Sequence, residues 1–384
     1  MRSISTIAII FCLVQICDGL HARERNLIFH GSGEVSLFGI SESYTDTQSF
    51  LFLSRLKTGF DFSHSGNWGI RFNLFTRAYA GNFVEKYPGY SFLRYNRYDW
   101  LNLTHTWSDQ PGSLILSRID RAYIYYYTGD FEFKLGRQLI HWGQTLIWNV
   151  NDIFNTHSLL DADRPVKLGS DAARIIWYTG PESVMEFAAK LNGHGEATAA
   201  VMGRFNHSGI EWQWQTGLVE QKDWMFGAGL TANIRGLGMR SELGWYLPLG
   251  NSDNKQTLMA SFGVDFLFAS KFICQGEILY NQLHDYSSSR LFSNLYSTTA
   301  SPKKLSISEW SATINLLYPL TGQTSIAFSS FYFHDYHALI VYPSINWSKS
   351  NNLKLSASFR LSNFELEKIN YSANIISVSL LYDY

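Results

Sequence analysis

The sequence predicts an all-β fold, a transmembrane antiparallel β-barrel, and three observations support this prediction. The 384 residues include 27 Phe, 22 Tyr and 12 Trp, so aromatic residues make up 16% of the chain. Charged residues also make up only 16%, against about 25% in a typical soluble domain. Beyond residue 22 no apolar run is long enough for a membrane-spanning helix. Alternating apolar and polar residues, the pattern of strands, recur along the whole chain instead.

The N-terminus has the features of an export signal. Arg2 precedes an apolar stretch from Ile4 to Cys17, and an acceptable cleavage site follows residue 22. The stretch is too short for a confident membrane anchor. We therefore predict a signal peptide over residues 1–22 and a single barrel domain over residues 23–384. Of the three cysteines only Cys274 would remain, which excludes an intramolecular disulfide.

The alternation itself is clear in segments such as 210–218, IEWQWQTGL, and 353–361, LKLSASFRL. Apolar residues occupy every second position, so each strand has one apolar and one polar face. A soluble secreted β-sandwich is the alternative, with its apolar faces turned into a core. Strand lengths that suit a tilted membrane crossing, and aromatic residues near strand ends, favour a barrel whose apolar face meets lipid.

The last strand supports the same interpretation. Residues 376–384 read ISVSLLYDY, and every second residue from the end lies on one face. An apolar final strand that closes on an aromatic residue resembles the signal by which Gram-negative outer-membrane barrels are recognised by the assembly machinery. The residues of this face are Ile376, Val378, Leu380, Tyr382 and Tyr384.

The alternation yields nineteen candidate strands, among them 33–42, 97–107 and 131–140. A bacterial barrel has an even number because both chain ends return to the same side. We therefore expect 18 strands, with 16 as the fallback. The N-terminal candidate, 33–42, is the weakest, and it is the strand that we expect to lie inside the lumen if one leaves the wall.

The connections fall into two classes. Those on the side of the C-terminus, such as 129–130 and 347–351, are short, whereas 141–170 and 284–306 on the opposite side are long. Short periplasmic turns and long external loops are typical of outer-membrane barrels.

The longest of these connections follows the strand 131–140. The parity of this strand would place Arg137 and His141 toward lipid, which is costly for a charge. We therefore expect the strand to end or bulge near Gly136, or these residues to lie at the outer rim. Residues 141–170 are too long and too apolar for a passive hairpin loop. They are expected to fold back into the barrel and pack on its inner wall.

This region also resembles a known motif. Gly136-Arg137-Gln138, Ile140, Trp142-Gly143, Asn149 and Asp152 are similar to the motif of Gram-negative outer-membrane barrels of the porin-like kind. In those proteins an Asn-Pro-x-Asp turn follows, and this chain departs from it at Val150 and again at Thr156, where a second Asn-Pro is usual. The resemblance implies a constriction of the lumen by the connection that follows the motif.

Seven basic and seven acidic residues lie between positions 117 and 174, so this region carries no net charge. Either they line the constriction and orient dipolar solutes, or they form ion pairs that hold the connection to the wall. Both roles are compatible. The candidates for lining or anchoring are Arg118, Asp120, Arg137, His141, Trp142, Asp152, Asp163, Arg164 and Asp171.

These observations predict a porin-like outer-membrane channel for passive diffusion of small hydrophilic solutes. Membrane lipid and the assembly machinery are its expected partners, and trimers are common among the barrels of this size that it resembles. A plugged or wide barrel that exports surface polysaccharide or serves as a structural or secretion partner is the alternative. The net charge of −1 argues against nucleic acid. No nucleophile, metal-ligand or paired-carboxylate signature appears, so neither an enzyme nor a cofactor is expected.

Overall fold

A computed structural model describes residues 27–43, 47–86, 99–155, 167–250, 255–282, 301–366 and 369–384. The predicted signal peptide lies outside the described residues. In the part of the chain that the structure describes, one short helix, α1 (Asn82–Lys86), and one 3-10 turn (His334–Tyr336) accompany the strands. The strands are β1 (Leu27–Glu42), β2 (Thr47–His64), β3 (Trp68–Ala80), β4 (Thr104–Gln110), β5 (Ser113–Thr128), β6 (Phe131–Gln138), β7 (Ser170–Gly180), β8 (Ser183–Leu191), β9 (Ala197–His207), β10 (Ile210–Val219), β11 (Asp223–Ile234), β12 (Leu237–Pro248), β13 (Thr257–Leu267), β14 (Ile273–Asn281), β15 (Trp310–Pro319), β16 (Thr324–Phe333), β17 (Ala338–Ser348), β18 (Leu353–Leu366) and β19 (Ile369–Asp383).

Eighteen of these strands form a closed antiparallel barrel. Each pairs with its neighbours along the chain, except that β3 pairs with β5, and β1 pairs with β19 to close the ring. The prediction of 18 strands is therefore confirmed. Within the described residues, no helix is long and apolar enough to cross a membrane.

The surplus strand is β4, and the prediction that the N-terminal candidate leaves the wall is wrong. Strand β1 is a full member of the wall, bonded to β2 on one side and β19 on the other. Strand β4 pairs with the first part of β5, on the edge where β6 pairs with the second part. Because β6 has only 8 residues, it leaves this stretch of the β5 edge without a partner, and β4 occupies it.

The two faces of the wall differ as the alternation predicts. Large apolar side chains are exposed on the outer face, for example Trp212 and Trp214 on β10 and Leu243 and Trp245 on β12. The inner face carries polar residues such as Gln213. A barrel with exposed apolar residues outside and polar residues inside has the surface expected of a wall between lipid and water.

Strand β6 ends close to Gly136, as expected. Gly136 has a φ of 120°, in the region that favours glycine, and the strand stops at Gln138. Burial alternates from Phe131 to Leu135, but Arg137 and Gln138 are both buried. The break in alternation prevents Arg137 from presenting a charge to lipid.

The seam between the first and last strands brings the two ends of the described chain together. The main chains of Gly31 and Tyr384 exchange two hydrogen bonds of 3.2 and 3.0 Å. The Tyr384 ring lies directly over Gly31, where no side chain obstructs it, and its hydroxyl donates to the Lys57 carbonyl at 3.3 Å. Ile376, Val378 and Leu380 are exposed on the outer face. A role of these residues in assembly stays a prediction.

Candidate functional site

The segment that follows β6 packs against the inner wall. We call residues 139–155 the inward segment. Its six buried apolar side chains form one cluster with inward-facing residues of strands β7 to β14, and Leu305 of the connection before β15 packs against the same cluster. The members from the inward segment are Ile140, Trp142, Trp148, Val150, Ile153 and Phe154.

Two carboxylates of the wall hold the backbone of the inward segment. Glu242 on β12 accepts hydrogen bonds from the backbone N–H groups of Gln144, Thr145 and Asn151, at 2.7 Å for the last two. Glu277 on β14 accepts from three consecutive backbone N–H groups, at 3.0, 3.0 and 2.6 Å; these belong to Leu146, Ile147 and Trp148. A carboxylate that accepts several N–H groups makes strong, charge-assisted hydrogen bonds. These six amides are thereby satisfied inside the barrel.

Side chains of strands β7, β8 and β10 hold the beginning of the segment. The Trp142 indole N–H donates to Glu186 on β8 at 2.8 Å, and Arg174 on β7 pairs with the same carboxylate. Gln213 on β10 donates to the Trp142 carbonyl at 2.7 Å. Trp142 also meets Phe154 edge to face, with ring centroids 4.9 Å apart. The indole is therefore fixed at both its polar and its apolar parts.

Asp152 is the centre of a small charged cluster within the segment. Its Oδ2 lies 2.9 Å from His141 Nδ1 and 2.5 Å from Lys167 Nζ. Backbone hydrogen bonds from Asp152 to Asn149 and from Ile153 to Asn151 form a tight turn here. Burial acts to raise the Asp152 pKa, but the hydrogen bond with His141 and the charge of Lys167 outweigh it and hold the pKa below its ordinary value. Asp152 is thus a carboxylate at neutral pH.

This depressed pKa predicts a pH-dependent contribution to stability. Because the folded pKa lies below the ordinary value of 3.8, ionised Asp152 stabilises the fold above that value, and the contribution is lost as pH falls through the folded pKa. We expect Asp152→Asn to lower the free energy of unfolding by on the order of 1–3 kcal/mol at pH 7. The difference from wild type should stay constant down to about pH 5 and shrink toward pH 3. Urea unfolding in detergent at several pH values measures it, and a difference that grows at low pH would contradict the assignment.

Arg137 lies where β5, β6 and β7 meet the residues before β4. Its guanidinium makes a two-point contact with Asp171, at 2.8 and 2.7 Å, and its side chain is 1% exposed. It also donates to the carbonyls of Ile119 and Leu101, at 3.1 and 2.6 Å. The Leu101 N–H in turn donates to Asp171 at 2.8 Å. The pair therefore fastens the chain that leads into β4 to the short strands β6 and β7.

The basic residues predicted between 117 and 174 are paired wherever the structure describes them. The six pairs are Arg118–Asp99, Arg121–Asp120, Lys134–Glu132, Arg137–Asp171, Lys167–Asp152 and Arg174–Glu186. Asp120 also accepts the Gly169 N–H at 3.3 Å, next to the start of β7. Asp163 and Arg164 lie outside the described residues. Roles of the candidate residues in anchoring the connection and in constricting the lumen both stay predictions.

Several anchors were absent from the sequence prediction. Glu186, Glu242 and Glu277 each occupy an ordinary polar position of an alternating strand, so the pattern gives them no distinction. Asn155 was also missed, although its amide accepts the Ile140 N–H at 2.8 Å and donates to Ser170 at 3.1 Å, joining the two ends of the connection. The only signal in the sequence for these three carboxylates was their position on the polar face of a strand. No group of three or more potential metal ligands occurs among the described residues.

Comparisons with known proteins agree on the fold. No family model matches the sequence, and no curated protein matches it significantly. Solved structures do match over nearly their whole length. OccK7 (OpdD) of Pseudomonas aeruginosa superposes with a TM-score of 0.59 at 7% identity, covering 94% of this chain and 99% of its own. OccAB4 of Acinetobacter baumannii gives 0.56 at 9% identity, with 94% and 99% covered.

The outer membrane protein opdK of Pseudomonas aeruginosa gives a TM-score of 0.53 at 9% identity, covering 93% of this chain and 99% of its own. At such identities the similarity concerns the fold. The chain therefore shares the closed barrel architecture of these proteins along almost its entire length.

Proposed function

We propose that the protein is a porin-like channel of the Gram-negative outer membrane, through which small hydrophilic solutes diffuse passively. The proposal rests mainly on the closed 18-strand barrel, which has an apolar outer face and a polar, ion-paired inner face. Barrels of 16–18 strands are wide enough to leave an aqueous channel. The fold shared with an outer membrane protein, and the motif that begins at Gly136, support the same proposal.

The inward segment narrows this channel from one side. It is held to strands β7–β14 by its apolar cluster and by Glu242 and Glu277, so it lies against one part of the wall. The pairing of charges around it favours weak ion selectivity, because opposite charges at short distance leave little net field. In this arrangement Arg118, Asp120 and Asp152 fix or line the constriction.

Conductance of the refolded protein in a planar lipid bilayer tests the proposal. We expect stable steps in the range of open porins, with weak selectivity in a salt gradient, and larger steps after deletion of residues 144–151. A barrel that inserts but passes no current would overturn the proposal. Such a barrel would favour export or a structural partnership, since its lumen would then be plugged.

A further inference from the structure

A group of tyrosines faces the lumen near the end of the barrel where Gly31 meets Tyr384. On β5, Ile124 and Tyr126 belong to the exposed outer face. Tyr123, Tyr125 and Tyr127 alternate with them and so point inward. Tyr178 of β7 also points inward, since its hydroxyl donates to the inward-facing Glu132 at 3.0 Å. We call these four residues, Tyr123, Tyr125, Tyr127 and Tyr178, the tyrosine patch.

The three β5 rings of the patch follow one another along the strand, and their planes are tilted against each other by 55° and 69°. Centroids are 6.5 Å apart between Tyr123 and Tyr125, and 5.6 Å between Tyr125 and Tyr127. The Tyr125 side chain leans across the wall toward the paired Gly69 of β3, where a Cβ would be 2.4 Å from the tyrosine hydroxyl oxygen. The absence of a side chain at Gly69 therefore leaves room for the Tyr125 ring on the lumenal side of the sheet.

Charged side chains border the patch, and they are mutually paired. On one side Arg71 and Asp61 make a two-point contact, at 2.6 and 2.9 Å, with 45% and 30% of their side chains exposed. On the other side Lys134 pairs with Glu132 at 2.8 Å. Two positive and two negative charges leave no net charge beside the rings. Donors and acceptors remain within reach of a ligand, and the balance favours an uncharged one.

We propose that the tyrosine patch binds neutral saccharides as they pass through the lumen. A sugar ring has an apolar C–H face, which an aromatic ring can cover, and a rim of hydroxyl groups, which Arg71 and Asp61 can bind. An interfacial girdle does not explain the patch, because girdle residues face lipid, as Tyr126 does. This inference rests on the proposed channel function and names its substrate class.

Two measurements on the full-length refolded protein test the proposal. The first is block of bilayer current by maltopentaose added to both sides, and the second is calorimetric titration of the same sugar into protein in detergent. We expect Tyr125→Ala to raise the half-blocking concentration and the Kd about tenfold, the loss of one aromatic contact. Tyr125→Phe, which retains the ring face, should bind almost as wild type. Tyr126→Ala, its outward-facing neighbour, should be unchanged.

The outcomes separate this inference from the proposed function. A wild-type channel that conducts but neither binds nor is blocked by the sugar overturns the saccharide site and leaves the channel intact. Equal effects of Tyr125→Ala and Tyr126→Ala also overturn it. So does binding of benzoate in place of the sugar with the same dependence on Tyr125, which would indicate an aromatic acid site. Sugar binding by a barrel that passes no current supports the patch and overturns the channel. A folded barrel migrates differently on a gel before and after heating, and the same difference in each variant as in wild type confirms that the variant is folded.

Discussion

The double variant Glu242→Ala/Glu277→Ala is expected to release the inward segment while leaving the barrel folded. Six backbone N–H groups between residues 144 and 151 would lose their carboxylate acceptors. A hydrogen bond to a charged group contributes about 1.5–3 kcal/mol. The loss of even one such bond therefore raises the equilibrium constant for local opening of the segment roughly ten- to hundredfold. We expect amide exchange of residues 144–151 to be accelerated at least about 100-fold.

Hydrogen exchange followed by mass spectrometry in detergent measures this effect segment by segment. Exchange in β17 and β18, which lie far from the inward segment along the barrel wall, should not change. Gln275→Ala is the matched control, because Gln275 lies on the same inner face of β14, two residues from Glu277. If the double variant exchanges no faster than Gln275→Ala, the two carboxylates do not anchor the segment. Single-channel current should also become noisier in the double variant, since the segment would move in the lumen.

Loss of the Arg137–Asp171 pair is expected to have the largest effect on global stability. Arg137→Ala would leave the buried Asp171 without its two-point partner and would remove the hydrogen bonds to the Ile119 and Leu101 carbonyls. Removing one member of a buried ion pair costs about 3–5 kcal/mol. We expect a loss of that size in urea unfolding in detergent, followed by tryptophan fluorescence. The strands β6 and β7 and the chain before β4 should be the first to open.

The control for this prediction is another arginine–aspartate pair of the same geometry. Arg71 and Asp61 also make a two-point contact, but both side chains are partly exposed. Arg71→Ala should therefore cost no more than about 1 kcal/mol. The double variant Arg137→Ala/Asp171→Ala should lose less than the sum of the two single variants, because the pair is removed together. Equal losses for Arg137→Ala and Arg71→Ala would mean that burial does not strengthen the Arg137 pair.

The barrel was predictable from the sequence because its signal is local. Each strand displays its two faces within about ten residues, as in IEWQWQTGL, and the solvent on each side determines what those faces must be. The sequence also predicted that residues 139–155 fold into the barrel, since Trp142 and Trp148 have too much apolar surface for a solvated loop. Local pattern therefore predicts which residues leave the wall and which form it.

The contacts that hold the inward segment were not predictable in the same way. Glu277 meets Trp148 across 129 positions of the chain, and a polar residue on a lumenal face looks the same whether it meets water or a backbone amide. The misassigned surplus strand has a similar cause. The N-terminal candidate alternates weakly, yet β1 is required by the closure of the ring, whereas β4 fills an edge that exists only because β6 is short. Both depend on distant geometry.

The seam between β1 and β19 predicts an order in which the barrel folds. The hydroxyls of Ser36 and Ser379 meet at 2.8 Å although they are 343 positions apart, so the ring can close only after the last strand has been delivered. Until then β1 has an unpaired edge, which is prone to wrong pairing. Contacts of such sequence separation form slowly because the entropy of closing the intervening chain must be overcome first. Closure at this seam should therefore be the late, rate-limiting step, and its rate should respond to changes at Gly31 and Tyr384 more than to changes elsewhere in the wall.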